Sequence, residues 1–214
     1  MIIIHKRRFR MKKSLLLVTM CVLAVSISFA QLPSVKFGLQ GNFGSINVAE
    51  PMKSVYGPGF GGGAHLDITL AILSVRVSGD YITFAPDNGK YQEALAKLTG
   101  SAASMFSIDG GRINILSGNV NLKWAILPLP IITPYMTGGI GLANISVNDA
   151  TIKMNGINQG TIGGVKGETK TAFNVGAGVD LKLGITLFIE GKYTWIMTEG
   201  ETSTYIPISV GITF

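Results

Sequence analysis

Apolar and polar residues alternate one by one over several stretches of this chain, and the alternation is clearest in the last ten residues. From Ile206 to Phe214 every second residue is apolar, and the residues between them are mostly small or polar. A period of two over this length is typical of a β-strand with one apolar face. The sequence therefore predicts a strand over residues 205–214.

Seven further stretches show the same period, which predicts eight strands in all. In each of them one face is mainly apolar, and the other carries small, polar or charged residues. These strands are predicted at residues 34–47, 59–71, 73–85, 112–126, 132–146, 171–183 and 185–197. An even number of strands joined in sequence favours an all-β, antiparallel up-and-down barrel.

The links between the predicted strands alternate between short and long. Short links are predicted at residues 71–72, 127–130 and 184, and longer, polar links at 46–58, 86–111, 147–169 and 198–203. A membrane barrel with both termini on one side has this order, with short turns on that side and long loops on the other. Within the second long link, residues 90–98 have helical character and predict a short surface helix.

The distribution of charge between the two strand faces distinguishes a soluble barrel from a membrane barrel. Charged residues such as Arg76 and Glu190 recur in mid-strand, opposite the apolar face. In a soluble, lipocalin-like barrel the apolar face would point inward, where eight strands leave a space only just wide enough for side chains. In a membrane barrel the apolar face meets lipid and the polar face lines the interior. We therefore predict a transmembrane barrel.

The predicted inward face supplies a network of polar side chains. Buried charges are stable only when they are paired and hydrogen-bonded, so we expect its basic and acidic members to form ion pairs. The predicted network consists of His65, Asp67, Arg76, Asp80, Lys123, Asp180, Glu190 and Lys192. On the outward face, aromatic residues near the strand ends are expected at the membrane interfaces. These aromatic residues are Tyr81, Trp124, Tyr193 and Trp195.

The predicted C-terminal strand resembles the C-terminal signature of outer-membrane β-barrels, in which alternating apolar residues end in Phe. Residues 31–214 as a whole resemble the small OmpA/OmpX-type barrels of Gram-negative bacteria. The resemblance implies an eight-stranded antiparallel up-and-down transmembrane β-barrel in the outer membrane, inserted by the barrel assembly machinery. It further implies that this machinery reads a signal formed by Ile208, Val210, Ile212 and Phe214.

Residues 1–30 have the features of a secretory signal peptide. They combine a basic start, an apolar run over 15–25 and small residues before an expected cleavage site after Ala30. An uncleaved anchor is the alternative, although the apolar run is shorter than the roughly 20 residues that a membrane helix needs. We expect residues 31–214 to form one outer-membrane barrel domain.

Removal of this leader changes the charge of the protein. The chain has 18 Lys+Arg and 12 Asp+Glu, and six of the basic residues lie in the leader. The remaining chain has equal numbers of basic and acidic residues, so the basic isoelectric point of the full chain comes from the leader and does not indicate nucleic-acid binding. We therefore expect no nucleic-acid partner. The single Cys also lies in the leader, so we expect no disulfide and no Cys-based metal site.

His65 is the one candidate for catalysis, because it is the only histidine after residue 30. As a general base it would be oriented by Asp67, on the same strand face, and would activate a serine such as Ser78. The alternative is an interior histidine that is hydrogen-bonded to its neighbours, and the scattered serines favour it. We predict no enzyme, no cofactor and no metal, with an outer-membrane lipid-modifying enzyme as the alternative.

The predicted function is a structural or surface-contact role through the long extracellular loops. We expect loops 86–111 and 147–169 to contact an external partner, and the barrel to contact outer-membrane lipid and lipopolysaccharide as a monomer. A wide aqueous channel needs about 16 strands, so a general porin is not expected. A narrow ion-conducting pore is a further alternative.

Overall fold

The computed structural model describes residues 33–47, 55–99, 105–197 and 202–214. The predicted signal peptide lies outside the described residues. Over the described ranges, none of the helical structure is both long and apolar enough to cross a membrane.

Eleven strands and one helix make up the regular structure of the described ranges. They are β1 (Ser34–Asn47), β2 (Tyr56–Leu70), β3 (Leu73–Pro86), α1 (Asn88–Thr99), β4 (Phe106–Gly110), β5 (Ile113–Ala125), β6 (Ile132–Val147), β7 (Ala150–Met154), β8 (Ile157–Ile162), β9 (Val165–Leu183), β10 (Ile185–Met197) and β11 (Thr202–Thr213). The predicted helix over 90–98 lies inside α1 and is confirmed.

Eight of the strands close into a barrel, in the order β1-β11-β10-β9-β6-β5-β3-β2. Every neighbouring pair is antiparallel, and β1 closes the ring against β11, with Phe43 opposite Ile208. The predicted eight-stranded up-and-down barrel is therefore confirmed. Closure pairs the edge of every barrel strand, so that the sheet has no free edge.

The two ends of the barrel differ in their connections. At one end, here called the turn end, lie the tight links at 71–72, 126–131 and Gly184, together with the beginning of β1 and the end of β11. At the other end, here called the loop end, lie α1 and the three strands outside the barrel. The short and long links thus alternate as predicted.

The barrel strands alternate between exposed apolar and buried polar residues. On β5, Leu116 and Val120 are 58% and 50% exposed, whereas Asn121 is 1% exposed. The same alternation covers the outer face with apolar side chains around the barrel. The apolar face therefore points outward, as a lipid-facing band requires.

Part of the prediction for the long links was wrong. Residues 147–169 were expected to be a loop, but they contain β7, β8 and the start of β9, and residues 86–111 contain β4 as well as α1. The three additional strands form a separate antiparallel sheet in the order β4-β7-β8. The hairpin between β7 and β8 turns at Asn155 and Gly156, whose φ angles of 51° and 78° are those that tight hairpin turns need.

The interior of the barrel has two zones, and one of them was not predicted. Toward the turn end the inward residues are polar, as expected. Toward the loop end they form an apolar cluster, called the apolar zone below: Tyr56, Ile82, Phe84, Ile113, Ile115, Ala143, Ala172, Ile196 and Tyr205. The apolar zone begins where the polar network ends.

The outer face becomes more polar toward the loop end, although Phe60 and Met197 remain exposed there at 60% and 51%. Beyond the lipid-facing band it carries polar residues, and these hydrogen-bond one another along the wall. Asn114 Nδ2 donates to Asn148 Oδ1 at 2.8 Å, and Asn144 Nδ2 donates to Thr169 Oγ1 at 3.1 Å. A strand needs only about 9–11 residues to cross a bilayer, whereas β9 has 19. The barrel wall is therefore longer at the loop end than a bilayer crossing requires.

Candidate functional site in the barrel interior

A buried arginine is at the centre of the polar zone. The β2–β3 register places Arg76 directly opposite Asp67. Arg76 Nε and Nη2 donate to the two Asp67 carboxylate oxygens, each at 2.7 Å, which is the two-pronged geometry that suits a guanidinium and a carboxylate. Arg76 Nη1 also lies 3.6 Å from Glu190 Oε2 on the opposite wall. The Arg76 guanidinium lies over Phe188, with Cζ 4.7 Å from the centre of the ring. Arg76 therefore joins two facing sides of the barrel.

Two lysines complete the ion pairs of this zone. Lys123 Nζ donates to both Asp180 carboxylate oxygens, at 2.8 and 2.7 Å, and lies 3.8 Å from the centre of the Tyr135 ring. Lys192 Nζ lies 3.1 Å from Glu190 Oε1, two residues away on the same strand face. Each buried cation of the predicted network thus contacts a carboxylate, which offsets the cost of removing it from water.

Asp80 differs from the other acidic members, because its described partners are neutral. Its Oδ1 accepts hydrogen bonds from the Gln40 side-chain amide and from Asn42 Nδ2, the latter at 2.9 Å. Its Oδ2 accepts from Ser78 Oγ at 3.1 Å. The ion pair expected for Asp80 is therefore replaced by three neutral donors among the described residues.

His65 lies in the interior but does not form the arrangement considered for catalysis. Its Nδ1 lies 2.7 Å from Gln40 Oε1, and because a carbonyl oxygen only accepts, Nδ1 carries the proton. Its Nε2 lies 3.0 Å from Thr213 Oγ1. In the described part of the chain the hydrogen bonds of His65 therefore lead to Gln40 and Thr213, and Ser78 bonds to Asp80 instead.

The backbone opposite His65 makes room for the imidazole ring. Gly38 faces His65 in the β1–β2 register. A Cβ atom at Gly38 would stand 2.2 Å from His65 Nε2 and 2.6 Å from the Ile212 carbonyl oxygen, far inside van der Waals contact. A glycine is therefore required at position 38 for the His65 ring to occupy this position.

The predicted interface aromatics all lie on the outer face. Trp124 is at the turn end of β5 and is 51% exposed. Toward the loop end, Tyr193 and Trp195 have ring centres 4.6 Å apart, and the Tyr81 hydroxyl donates to Asn114 Oδ1 at 2.9 Å. Tyr81 thus connects the apolar band to the polar wall above it.

The predicted assembly signal occupies the outer face of β11. Ile208, Val210 and Phe214 are exposed there, and Ile212 is half-buried. The Phe214 backbone N–H donates to the Phe37 carbonyl oxygen at 2.8 Å. The end of the chain is therefore fixed against the first strand of the barrel.

Two cavities in the described part of the interior lie at opposite ends of the barrel. The cavity at the turn end has a volume of about 150 Å³ and is lined by charged residues that include Lys36, Lys123, Asp180 and Lys182. The cavity in the apolar zone has a similar volume of about 150 Å³. Between them, the space beside Asp80 measures only about 10 Å³. Within the described ranges, no group of three or more His, Cys, Asp or Glu residues is placed to hold a metal ion.

A closed ring of eight strands with an apolar outer band and ion pairs inside defines a small transmembrane β-barrel. Residues 15–214 match the family model described as outer membrane protein beta-barrel domain, and the chain belongs to this family of the outer membrane. No curated protein sequence matches the chain.

Solved structures of outer-membrane barrels have a similar fold. Neisserial surface protein A is 13% identical, with a TM-score of 0.55, over 86% of this chain and 98% of that chain. The N-terminal β-barrel domain of Pseudomonas aeruginosa OprF is 13% identical, with a TM-score of 0.46, over 86% and 100%. Ail, the attachment invasion locus protein of Yersinia pestis, is 12% identical, with a TM-score of 0.41, over 85% and 97%. At these identities the similarity concerns the fold alone.

Proposed function

We propose that this protein is a non-enzymatic outer-membrane protein that contacts partners outside the cell through its loop end. The observation that carries the proposal is the sheet of β4, β7 and β8, which adds an ordered surface to the part of the wall beyond the lipid-facing band. Short turns face the periplasm in barrels of this kind, so the loop end is the outer one. Binding residues are often found on loops that a rigid scaffold positions.

The exposed strands of this sheet support a contact role. All six residues of β8 are exposed, and its end residues Ile157 and Ile162 are 67% and 58% exposed. An ion pair between Lys153 and Asp109, 3.0 Å apart, crosses from β7 to β4. The Lys153 ammonium holds the pKa of the Asp109 carboxyl below its ordinary value. The sheet thus presents a surface with both apolar and charged positions.

The environment of His65 supports the non-enzymatic part of the proposal. A general base would need an acidic group to orient it and a nucleophile within reach. The described partner of its Nδ1 is instead the neutral Gln40, and the hydroxyl beside its Nε2 is that of Thr213, which is only 3% exposed. A hydrogen-bonded interior histidine fits this arrangement better than a catalytic one.

Two contacts of the barrel itself belong to the same proposal. The outward apolar band would contact membrane lipid, with lipopolysaccharide at the loop end, and the protein would act as a monomer. The outward residues of β11 that end at Phe214 would be recognised by the barrel assembly machinery. Residues 1–30 would direct secretion and be removed.

The proposal is tested by adhesion of intact cells. Adhesion is compared between cells that express the wild-type protein and cells that express a variant in which a flexible Gly/Ser segment replaces residues 150–162. The surfaces are immobilised extracellular-matrix proteins, lipopolysaccharide and untransformed cells. We expect the protein to increase adhesion to at least one surface and the replacement to abolish the increase, with both proteins folded in the outer membrane. Equal adhesion of the two strains on every surface would contradict a contact role for this sheet.

A further inference from the structure

Six of the nine residues that line the cavity of the apolar zone are aliphatic, and the other three are Ser203, Thr204 and Tyr205. Ile46 and Ile196 contribute from one wall of the barrel, and Ile113, Ile145 and Val147 contribute from the facing wall. The cavity is therefore enclosed on two sides by strands of the closed ring.

Size and lining together select the kind of ligand that the cavity can hold. Protein interiors are close-packed, and spaces much larger than one water molecule are few. A space of about 150 Å³ is large enough for several water molecules, but water is retained in a cavity only where polar groups bind it. In another protein, an engineered apolar cavity of similar size stays dry and binds benzene or xenon.

The cavity at the turn end provides the contrast within the same molecule. Its volume is also about 150 Å³, but Lys36, Lys123, Asp180 and Lys182 contribute to its lining. Tyr205 lines the apolar cavity and also the small polar space below it, and so separates the two environments. A charged ligand would find charged partners at the turn end, whereas the described lining of the apolar cavity carries no charged side chain.

We propose that the loop end of the barrel interior binds a hydrocarbon group of about the size of a benzene ring. Such a group could come from a free apolar molecule outside the cell or from the end of a lipid acyl chain. Ser203 and Val147 lie at or next to the loop-end limits of their strands and are partly exposed, so that entry is from that end. The site is separate from the surface of β4, β7 and β8.

The test uses the full barrel in nanodiscs of perdeuterated lipid, with labelled isoleucine methyl groups. Benzene is added and the methyl resonances of Ile113 and Ile196 are followed by nuclear magnetic resonance. We expect saturable shifts of these resonances. Val147→Phe, which fills the cavity, should abolish them, and Leu142→Phe should not, because Leu142 is 57% exposed on the outer face of the same strand. Ile46→Phe fills the cavity from the facing wall and is used if Val147→Phe does not fold.

Two further arms identify the source of the hydrocarbon. The first arm uses protonated lipid and no benzene. Nuclear Overhauser contacts between Ile196 and acyl-chain protons would identify a lipid chain as the ligand. These contacts should be lost in Val147→Phe and retained in Leu142→Phe. Saturable shifts on benzene addition without such contacts would identify a free apolar ligand. The inference is overturned if benzene gives no saturable shift and no acyl contact is seen, or if the cavity-filling and control variants respond equally.

Discussion

At the scale of single residues, Arg76 shows how a charge is kept inside a closed barrel. It is 1% exposed, and its guanidinium is paired with Asp67 and lies near Glu190. When one member of a buried ion pair is removed, the remaining charge is left without compensation, which typically costs 3–5 kcal/mol. The pair is therefore more a condition for stability than a source of it.

Neutralising Asp67 tests this view. We expect Asp67→Asn, which keeps the size of the side chain, to lower the free energy of unfolding by about 3 kcal/mol, because Arg76 then keeps only the longer contact to Glu190. The measurement is urea unfolding of the barrel refolded into lipid vesicles. Asp109→Asn is the control, since it breaks a solvent-exposed ion pair and should leave the unfolding midpoint unchanged. Equal midpoints for Asp67→Asn and the wild type would show that the pair is not needed.

At the scale of elements, the β7–β8 hairpin depends on a tight turn with two positive φ angles. Gly156 occupies one of these positions, with φ of 78°, and Asn155 the other. Glycine adopts this conformation without cost, whereas a β-branched residue is strained there. The hairpin is the part of the loop-end sheet that a single turn substitution can disrupt.

We expect Gly156→Val to open this hairpin and leave the barrel intact. Protease cleavage within residues 150–162 should increase several-fold on intact cells, because a strained turn costs about 1–3 kcal/mol in a hairpin with few buried contacts. Gly160→Val is the control, since no atom lies within 4 Å of a Cβ at Gly160 and its φ is not positive. The same cleavage rate in both variants would mean that the turn does not hold the hairpin.

The elements also show what the sequence could and could not predict. The eight barrel strands were predictable because each alternates over ten or more residues, and the same alternation placed Arg76 and Lys123 on the inner face. The partner of Lys123 was not predictable, since Lys123 and Asp180 lie on strands separated by β6 and meet only through the curvature of the closed ring. The short strand β8 has no alternation of exposure, so only the Asn155-Gly156 turn signalled it.

The apolar zone was missed for a different reason. The period of two continues through Ile113 and Ile115, so a strand is predicted correctly there. Whether the inner face is polar or apolar, however, depends on where the membrane ends. Within the bilayer the apolar residues face lipid, and outside the bilayer they face the protein interior. That boundary is a property of the assembled barrel, and no local pattern reveals it.

At the scale of the whole molecule, closure of the ring predicts that the barrel resists unfolding by detergent. All eight strands are paired on both sides, so unfolding in dodecyl sulfate must break a continuous sheet. We expect the unboiled protein from outer membranes to migrate differently from the boiled protein on a detergent gel. Protein denatured in urea before loading is the control and should migrate like the boiled sample. Identical migration of boiled and unboiled protein, with recovery in the soluble periplasmic fraction, would contradict a membrane barrel.

The reversal of polarity along the wall has a consequence for electrical conduction. An ion that passed through the interior would meet, in series, a segment crossed by salt bridges and a segment walled by aliphatic side chains. The salt-bridged segment presents an electrostatic barrier to the ion. The aliphatic segment would strip the hydration shell from the ion, which is how hydrophobic constrictions close pores by dewetting. Breaking the salt bridges alone would therefore leave the aliphatic segment as a barrier to ions.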